Sequence, residues 1–234
     1  MRYDCGCENE EVEFGVLHCV KKCEYHVSWL LTHNEDTMEY YTTMGCIRNG
    51  IPHNKQYIVE LQDAFNSIDC SIFKPITNPG RSNGSENFML EIGCGVGVYV
   101  PFFLKQGWVY AAVELSKFAA YWTRNCFDVP VEEAGIEKFD GGRYDLIFSA
   151  HTLEHLEDAP EVMKKCYGML IPKGKLALIL PDDTDKINPS HWWFFNENNL
   201  SQHLKAVGFK KVRTVVRKIV AHENFIYCVA ERGE

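Results

Sequence analysis

Glu91-Ile92-Gly93-Cys94-Gly95-Val96-Gly97 is the stretch whose reading decides the fold. It continues the apolar run Phe88-Met89-Leu90, so it reads as a buried strand that breaks into glycines and then opens a helix. Glycine lets the main chain bend through conformations that other residues avoid, and it brings backbone close to a ligand at the carboxyl edge of a sheet. Glu114 follows roughly 20 positions after Gly93, where an acid can accept hydrogen bonds from ribose hydroxyls. Together these features predict a nucleoside-containing cofactor.

A dinucleotide fingerprint needs its third glycine at the sixth position of GxGxxG, and Gly97 comes one place too early. Glu91 would also sit badly beside a pyrophosphate. It suits a ligand that carries positive charge, because opposite charges placed close together attract.

Outward from this turn, short apolar runs alternate with amphipathic stretches, which predicts a mostly parallel α/β sheet. Strands are expected at Phe88 to Ile92, Val109 to Glu114, Val129 to Glu133, Tyr144 to Ser149 and Lys175 to Leu180. Between them, Pro101 fits a first helical turn, Gly107 a helix end and Ser116 a cap. A further helix runs from Pro160 to Leu170, and Pro172-Lys173-Gly174 reads as the turn into the fifth strand. Asn196 caps the last helix and Gly208 ends it. Lys211 to Ile219 and Phe225 to Glu231 then pair as an antiparallel hairpin.

Upstream, residues 1–70 read as a helical N-terminal extension. Leu17, Val20, Val27, Leu30 and Leu31 recur at helical spacing, as do Tyr57, Leu61, Ala64 and Phe65. Residues 71–87 read as a linker, turn-rich and polar from Pro75 to Asn87, and 88–234 as the cofactor-binding domain.

With these residues in view, the chain resembles the class I S-adenosylmethionine (SAM)-dependent methyltransferases. Glu91 to Gly97 match that family's E/D-x-G-x-G-x-G motif throughout. Val113-Glu114-Leu115-Ser116 resembles its ribose-binding segment, and Tyr144 to Ser149 its fourth strand. Leu153-Glu154-His155-Leu156 resembles the segment after it, and Leu170 to Leu176 the L-x-P-G-G entry to strand five, with Lys173 replacing one glycine. The resemblance implies a Rossmann-like, doubly wound, mostly parallel seven-stranded sheet with an antiparallel C-terminal strand. It also implies SAM as cofactor, held by Glu91, Gly93, Cys94, Gly95, Gly97, Glu114, Leu115, Ile136 and Ala150. Cys94 reads as a small filler rather than a nucleophile. Many relatives carry an Asp after strand three that reaches the adenine amino group. Here Gly135 occupies that place, so adenine is expected against Leu115, Ile136 and backbone groups, with Glu133 a weaker candidate.

By the same resemblance, the end of strand four faces the cofactor's reactive end, which puts Ala150 and His151 beside the methyl group. A histidine there suits a general base near neutral pH. A cofactor-packing or hydrogen-bonded structural histidine is the plainer reading. His191, in the loop after strand five, is the second candidate base. Trp192-Trp193-Phe194-Phe195 reads either as a lid on the acceptor or as an anchor for the final helix. His151, Glu154 and His155 form an HxxEH pattern that would share one helical face and invites a metal reading. Leu-Glu-His, however, is common in relatives without metal.

Cys5, Cys7, Cys19 and Cys23 supply four sulfurs, enough for a tetrahedral structural zinc, with Cys19, Cys23 and His26 expected on one helix. Free, partly buried thiols are the alternative. Tyr40, Tyr41 and Tyr57 read as an aromatic lid or as packing.

The chain has 234 residues, 46% of them hydrophobic and 24% charged, with a formal charge of −8 and ten cysteines. That acidity disfavours a surface built to follow a phosphate backbone. No secretory signal or membrane-length apolar run stands out, so a soluble cytoplasmic protein with reduced thiols is expected. The favoured function is methyl transfer to a small-molecule or sugar acceptor at oxygen or nitrogen. A protein or RNA methyltransferase, or a non-catalytic SAM-binding protein, are the alternatives.

Overall fold

The computed structural model describes residues 8–11, 17–21, 47–48, 51–52, 55–69, 71–74, 86–182, 188, 190–218 and 224–234. Four short strands come first: β1 (Glu8–Glu11), β2 (Leu17–Lys21), β3 (Ile47–Arg48) and β4 (Ile51–Pro52). Helix α1 (Lys55–Ile68) follows. Strands and helices then alternate as β5 (Phe88–Ile92), α2 (Val100–Lys105), β6 (Val109–Glu114), α3 (Lys117–Phe127) and β7 (Val131–Glu133). The chain continues through β8 (Tyr144–Ala150), α4 (Ala159–Met169), β9 (Leu170–Pro181) and β10 (Trp193–Phe194). It closes with α5 (Glu197–Val207), β11 (Lys210–Lys218) and β12 (Asn224–Glu231).

Seven strands form one sheet in the order β11-β12-β9-β8-β5-β6-β7. Strands β5 to β9 run parallel, and β12 inserts antiparallel between β9 and β11. Helices cover both faces. Leu61 and Phe65 of α1, Phe103 of α2 and Ala120 of α3 pack on one side, while Met163 of α4 and Leu200 of α5 pack on the other. This is the doubly wound α/β architecture expected from the alternation. Strand order reverses beside β5, and the crevice at such a switch point, outside the carboxyl ends of the strands, is where these sheets bind ligands.

Local chemistry sets the helix ends. The Ser116 hydroxyl accepts the Ala119 N–H at 3.0 Å and starts α3. Asp158 caps α4 through the Glu161 N–H. Asn196 and Asn199 form a reciprocal capping box on α5, which Gly208 terminates in a left-handed conformation.

Three expectations need correction. The helical spacing read from Leu17 onward does not yield a helix at its start, because Leu17–Lys21 is a strand paired with both β1 and β10. Partner strands satisfy its backbone groups, and that pairing overrides a weak local preference. The second helical reading, through Tyr57 to Phe65, lies in α1. Pro172-Lys173-Gly174 is not a turn ahead of a strand: it is a bulge within β9, where the register with β8 jumps between Tyr144 and Leu146. Lys173 takes a positive φ of 64° there, and the Arg232 backbone bonds to both Lys173 and Gly174. The HxxEH segment is not α-helical. Leu153–His155 forms one 3₁₀ turn.

Most of the linker and residues 221–223 of the expected hairpin turn lie outside the described residues, as do Cys5, Cys7, Cys23, His26, Tyr40 and Tyr41. Cys19 falls on β2. Among the described residues no helix is long and apolar enough to cross a membrane.

Candidate active site

At the end of β5 the glycine turn folds back on itself with φ of 71° at Gly93, 52° at Gly95 and 79° at Gly97, all left-handed. Space reinforces that constraint. A Cβ on Gly93 would lie 2.2 Å from the Thr152 hydroxyl oxygen, and one on Gly97 would lie 2.6 Å from the Phe127 ring. The turn is a main-chain cradle that side chains would fill.

Two residues pin Gly95 from opposite sides. Glu114, at the end of β6, accepts the Gly95 N–H through Oε2 at 2.8 Å and the Ser116 N–H through Oε1 at 2.8 Å. The Thr123 hydroxyl, on the buried face of α3, donates to the Gly95 carbonyl at 2.8 Å. Glu114 is thereby held at the mouth of the crevice.

Glu91 lies beneath the turn and is only 1% exposed. Its Oε2 accepts the Tyr110 phenol hydrogen at 2.6 Å. Burial pushes the Glu91 carboxyl up to about 8; the Tyr110 bond opposes the shift and the nearby Glu114 charge adds to it. A cation bound above this carboxylate would relieve the cost of burying its charge. Cys94 is 4% exposed, and burial with the Glu91 and Glu114 charges keeps its thiol protonated. It is a filler, not a poised nucleophile.

Next to Glu114, Leu115 stands 75% exposed, while Ile136 is buried in the sheet's second core. Gly135 lies beside both Glu137 and Leu115. A Cβ there would meet Glu137 Oε2 at 2.5 Å, with Leu115 Cδ1 at 4.0 Å. Glu137 is thus the carboxylate that lies against Gly135. Glu133 instead pairs with Arg124 on the exposed surface at 3.4 Å.

Strand β8 ends at Ala150, and His151 turns sharply with φ 53°, unusual for a residue with a side chain. Its N–H bonds to the Ile179 carbonyl, and its ring meets Phe225 edge-on at 4.8 Å. His151 Nδ1 lies 3.8 Å from Glu154 Oε1, with 41% of the His151 side chain exposed and the Glu154 carboxyl buried. Desolvation first, then His155 and His191, pull His151 down to about 4, so its ring is neutral near pH 7; contact with water screens part of that effect. Thr152 follows and lies over Gly93, its hydroxyl directed at the Ala150 and Ile92 carbonyls.

His191 is 5% exposed and packs edge-on against His155 at 4.8 Å. Trp193, Phe194 and Phe195 are buried, and the Trp193 indole N–H donates to the Glu157 carbonyl. These three residues pack into the core, and Phe195 meets His203 of α5 edge-on at 6.4 Å. Tyr110, Thr123, Thr152 and Glu137 escaped the sequence reading. Each reaches the site from a segment remote in sequence or through an unremarkable residue type.

A parallel sheet in this strand order, with a glycine cradle, a buried acid beneath it and a second acid on the next strand, defines a class I SAM-dependent methyltransferase fold. The profile of the methyltransferase domain family matches residues 77–214, more than half of the chain, and the chain belongs to that family. SAM is its cofactor, and the side-chain-poor cradle over a buried carboxylate fits a nucleoside that carries a sulfonium.

Among curated proteins, the chain is 26% identical over 95 residues to the ubiquinone biosynthesis O-methyltransferase of Coxiella burnetii, covering 38% of this chain and 41% of that one. The chain thus spans about two fifths of the curated relatives it matches. Among solved structures, the 1,6-didemethyltoxoflavin-N1-methyltransferase of Burkholderia thailandensis superposes with a TM-score of 0.61 at 15% identity, covering 97% of this chain and all of that one. Phosphoethanolamine N-methyltransferase 2 of Haemonchus contortus, solved with S-adenosyl-L-methionine, gives 0.64 at 13% identity, covering 86% of this chain and 59% of that one. At these identities the structural likeness speaks for the fold.

Proposed function

We propose that this chain transfers a methyl group from SAM to a hydroxyl or amine on a small molecule, with His151 taking the acceptor's proton. The observation that carries the reading is the pairing of two features at one sheet edge: a glycine cradle over buried Glu91, and a half-exposed His151 beside buried Glu154. When bound, SAM supplies a methyl on a positively charged sulfur that leaves as a neutral thioether.

The chain's residues do the rest. Glu91 would complement the cationic end of the cofactor, Glu114 would accept the ribose hydroxyls, and Leu115 with Glu137 would bracket the adenine. The crevice would seat an acceptor hydroxyl or amine so that it could receive that methyl group. His151 would take the proton from the acceptor oxygen or nitrogen as that atom gains the methyl group. Glu154 orients the imidazole and offsets the charge it gains. Phe225 beside His151 offers an apolar wall for a planar acceptor. Small-molecule acceptors are supported by the names of the similar proteins, an O-methyltransferase of ubiquinone biosynthesis and a 1,6-didemethyltoxoflavin-N1-methyltransferase.

Calorimetry with SAM, followed by an acceptor screen with labelled methyl donor, tests this function. His151→Ala should slow transfer on the order of 100-fold while leaving SAM affinity unchanged. Tight SAM binding with no turnover across hydroxyl, amine, sugar, protein and RNA acceptors would instead favour a cofactor-binding protein.

A further inference from the structure

We propose that Glu154, His155 and His191 bind a divalent transition-metal ion beside His151, and that this ion holds a hydroxyl acceptor for methylation. One potential ligand atom from each residue lies within 4.8 Å of the others. Ligands around a tetrahedral ion sit roughly 2.0–2.2 Å from the metal, hence about 3.4 Å apart, so small side-chain rotations close the site.

The surroundings support ligation. His155 Nδ1 faces the Ser190 carbonyl at 3.2 Å. A carbonyl only accepts, so Nδ1 carries the hydrogen and a neutral ring has its lone pair on Nε2. Metal-binding histidines are usually oriented this way, through a backbone carbonyl on the other ring nitrogen. The two segments that supply the ligands are tied together by the Trp192 N–H, which donates to the Glu154 carbonyl at 2.8 Å. Buried Trp193 anchors the same loop. A ligand from the loop after β9 is thus fixed against two from the turn after β8.

Burial also has the right asymmetry. Glu154 and His191 are enclosed while His155 is exposed, so one side of the cluster faces solvent. Three protein ligands with an open position characterise catalytic rather than structural sites, and two imidazoles with one carboxylate favour zinc, cobalt or iron over magnesium or calcium. Glu154 also lies 3.8 Å from His151, so an ion held by the cluster would be near that histidine and could hold an acceptor oxygen as its proton leaves. That role rests on the methyl-transfer reading above; the binding of metal does not.

Cobalt(II) serves as the probe, added to the full chain after chelator treatment, with X-ray absorption spectroscopy reporting the ligands. The expected result is one cobalt ion with two imidazoles and oxygen and no sulfur in its shell. His155→Ala, His191→Ala and the near-isosteric Glu154→Gln should each weaken it by about 10–100-fold. Replacing Cys5, Cys7, Cys19 and Cys23 together by Ser should leave this ion in place. Cobalt bound only through sulfur or only through oxygen in the wild-type chain overturns the site, whatever the variants do. So does equal affinity in all three variants. Methyl transfer that runs at the same rate with and without chelator removes the ion from the reaction, while methyl transfer itself still stands.

Discussion

Tyr110 on β6 donates its hydroxyl hydrogen to Glu91 on β5 across 2.6 Å, entirely inside the protein. This bond favours the Glu91 carboxylate in a site that otherwise disfavours charge, where burial holds the acid at about 8. Between its ordinary value of 4.5 and about 8, the folded chain holds a proton that the unfolded chain has released. Stability of the cofactor-free chain should therefore fall as pH rises through that window, and Glu91→Gln should flatten the slope in denaturant titrations. Binding of a cation requires that proton to leave, so SAM affinity should rise with pH up to about 8, by at most about tenfold per unit. Tyr110→Phe should move the rise to higher pH. Affinity independent of pH between 6 and 8, read by calorimetry in buffers that report proton release, would separate Glu91 from the cofactor's charge.

Gly93→Ala should destabilise the chain by about 1–3 kcal/mol and weaken SAM binding, because its new Cβ meets the Thr152 side chain in a left-handed backbone. The steric part is shared between the two residues. Gly93→Ala with Thr152→Ala should be less destabilised than the two single effects summed, a coupling that thermal unfolding of the four chains would measure. Simple additivity would mean that Thr152 does not pack on the turn.

His151 holds a left-handed backbone that glycine adopts without cost. His151→Gly should therefore be about 1 kcal/mol more stable than His151→Ala, despite glycine's larger unfolded-state freedom. Both should be equally slow in methyl transfer. The same stability for the two variants would show that the turn relaxes once the histidine is gone.

Asp69, just past α1, accepts from Lys175 on β9 at 2.8 Å and from Arg213 on β11 at 3.0 Å. Burial alone would raise this carboxyl, but hydrogen bonds from Lys175 and Ser71 outweigh it and hold it at about 2. The linked stability is present above the unfolded value of 3.8 and is lost as pH falls toward 2. Asp69→Asn should cost about 2–3 kcal/mol near pH 7, with the gap to wild type closing in acid. A gap that stays constant from pH 7 to pH 3 would refute the ion pairing.

The helix caps at Ser116 and Asn196 and the glycines of the turn were legible in the chain because each acts within a few residues of itself. The β2 segment was not. Its spacing resembles a helix, but β10, well over a hundred positions away, provides hydrogen bonds that a strand can use. The HxxEH pattern misled in a related way. On a helix its members share a face, whereas the 3₁₀ turn and the left-handed His151 direct Glu154 and His155 toward His191 instead. Gly135 was read as a missing acid, yet Glu137 reaches back over it.

Contiguous residues alone determined the alternating α/β architecture, the glycine bend and the acid that follows it, and through them the family and its cofactor. Those features obey short-range rules of backbone geometry and hydrogen-bond satisfaction, which a linear string carries in full. Only the tertiary structure decided that Tyr110 meets Glu91, that Glu154 and His155 meet His191, and that Asp69 meets Lys175 and Arg213. Contacts of this kind depend on strand register and loop path, where a shift of one residue turns a side chain to the opposite face of the sheet.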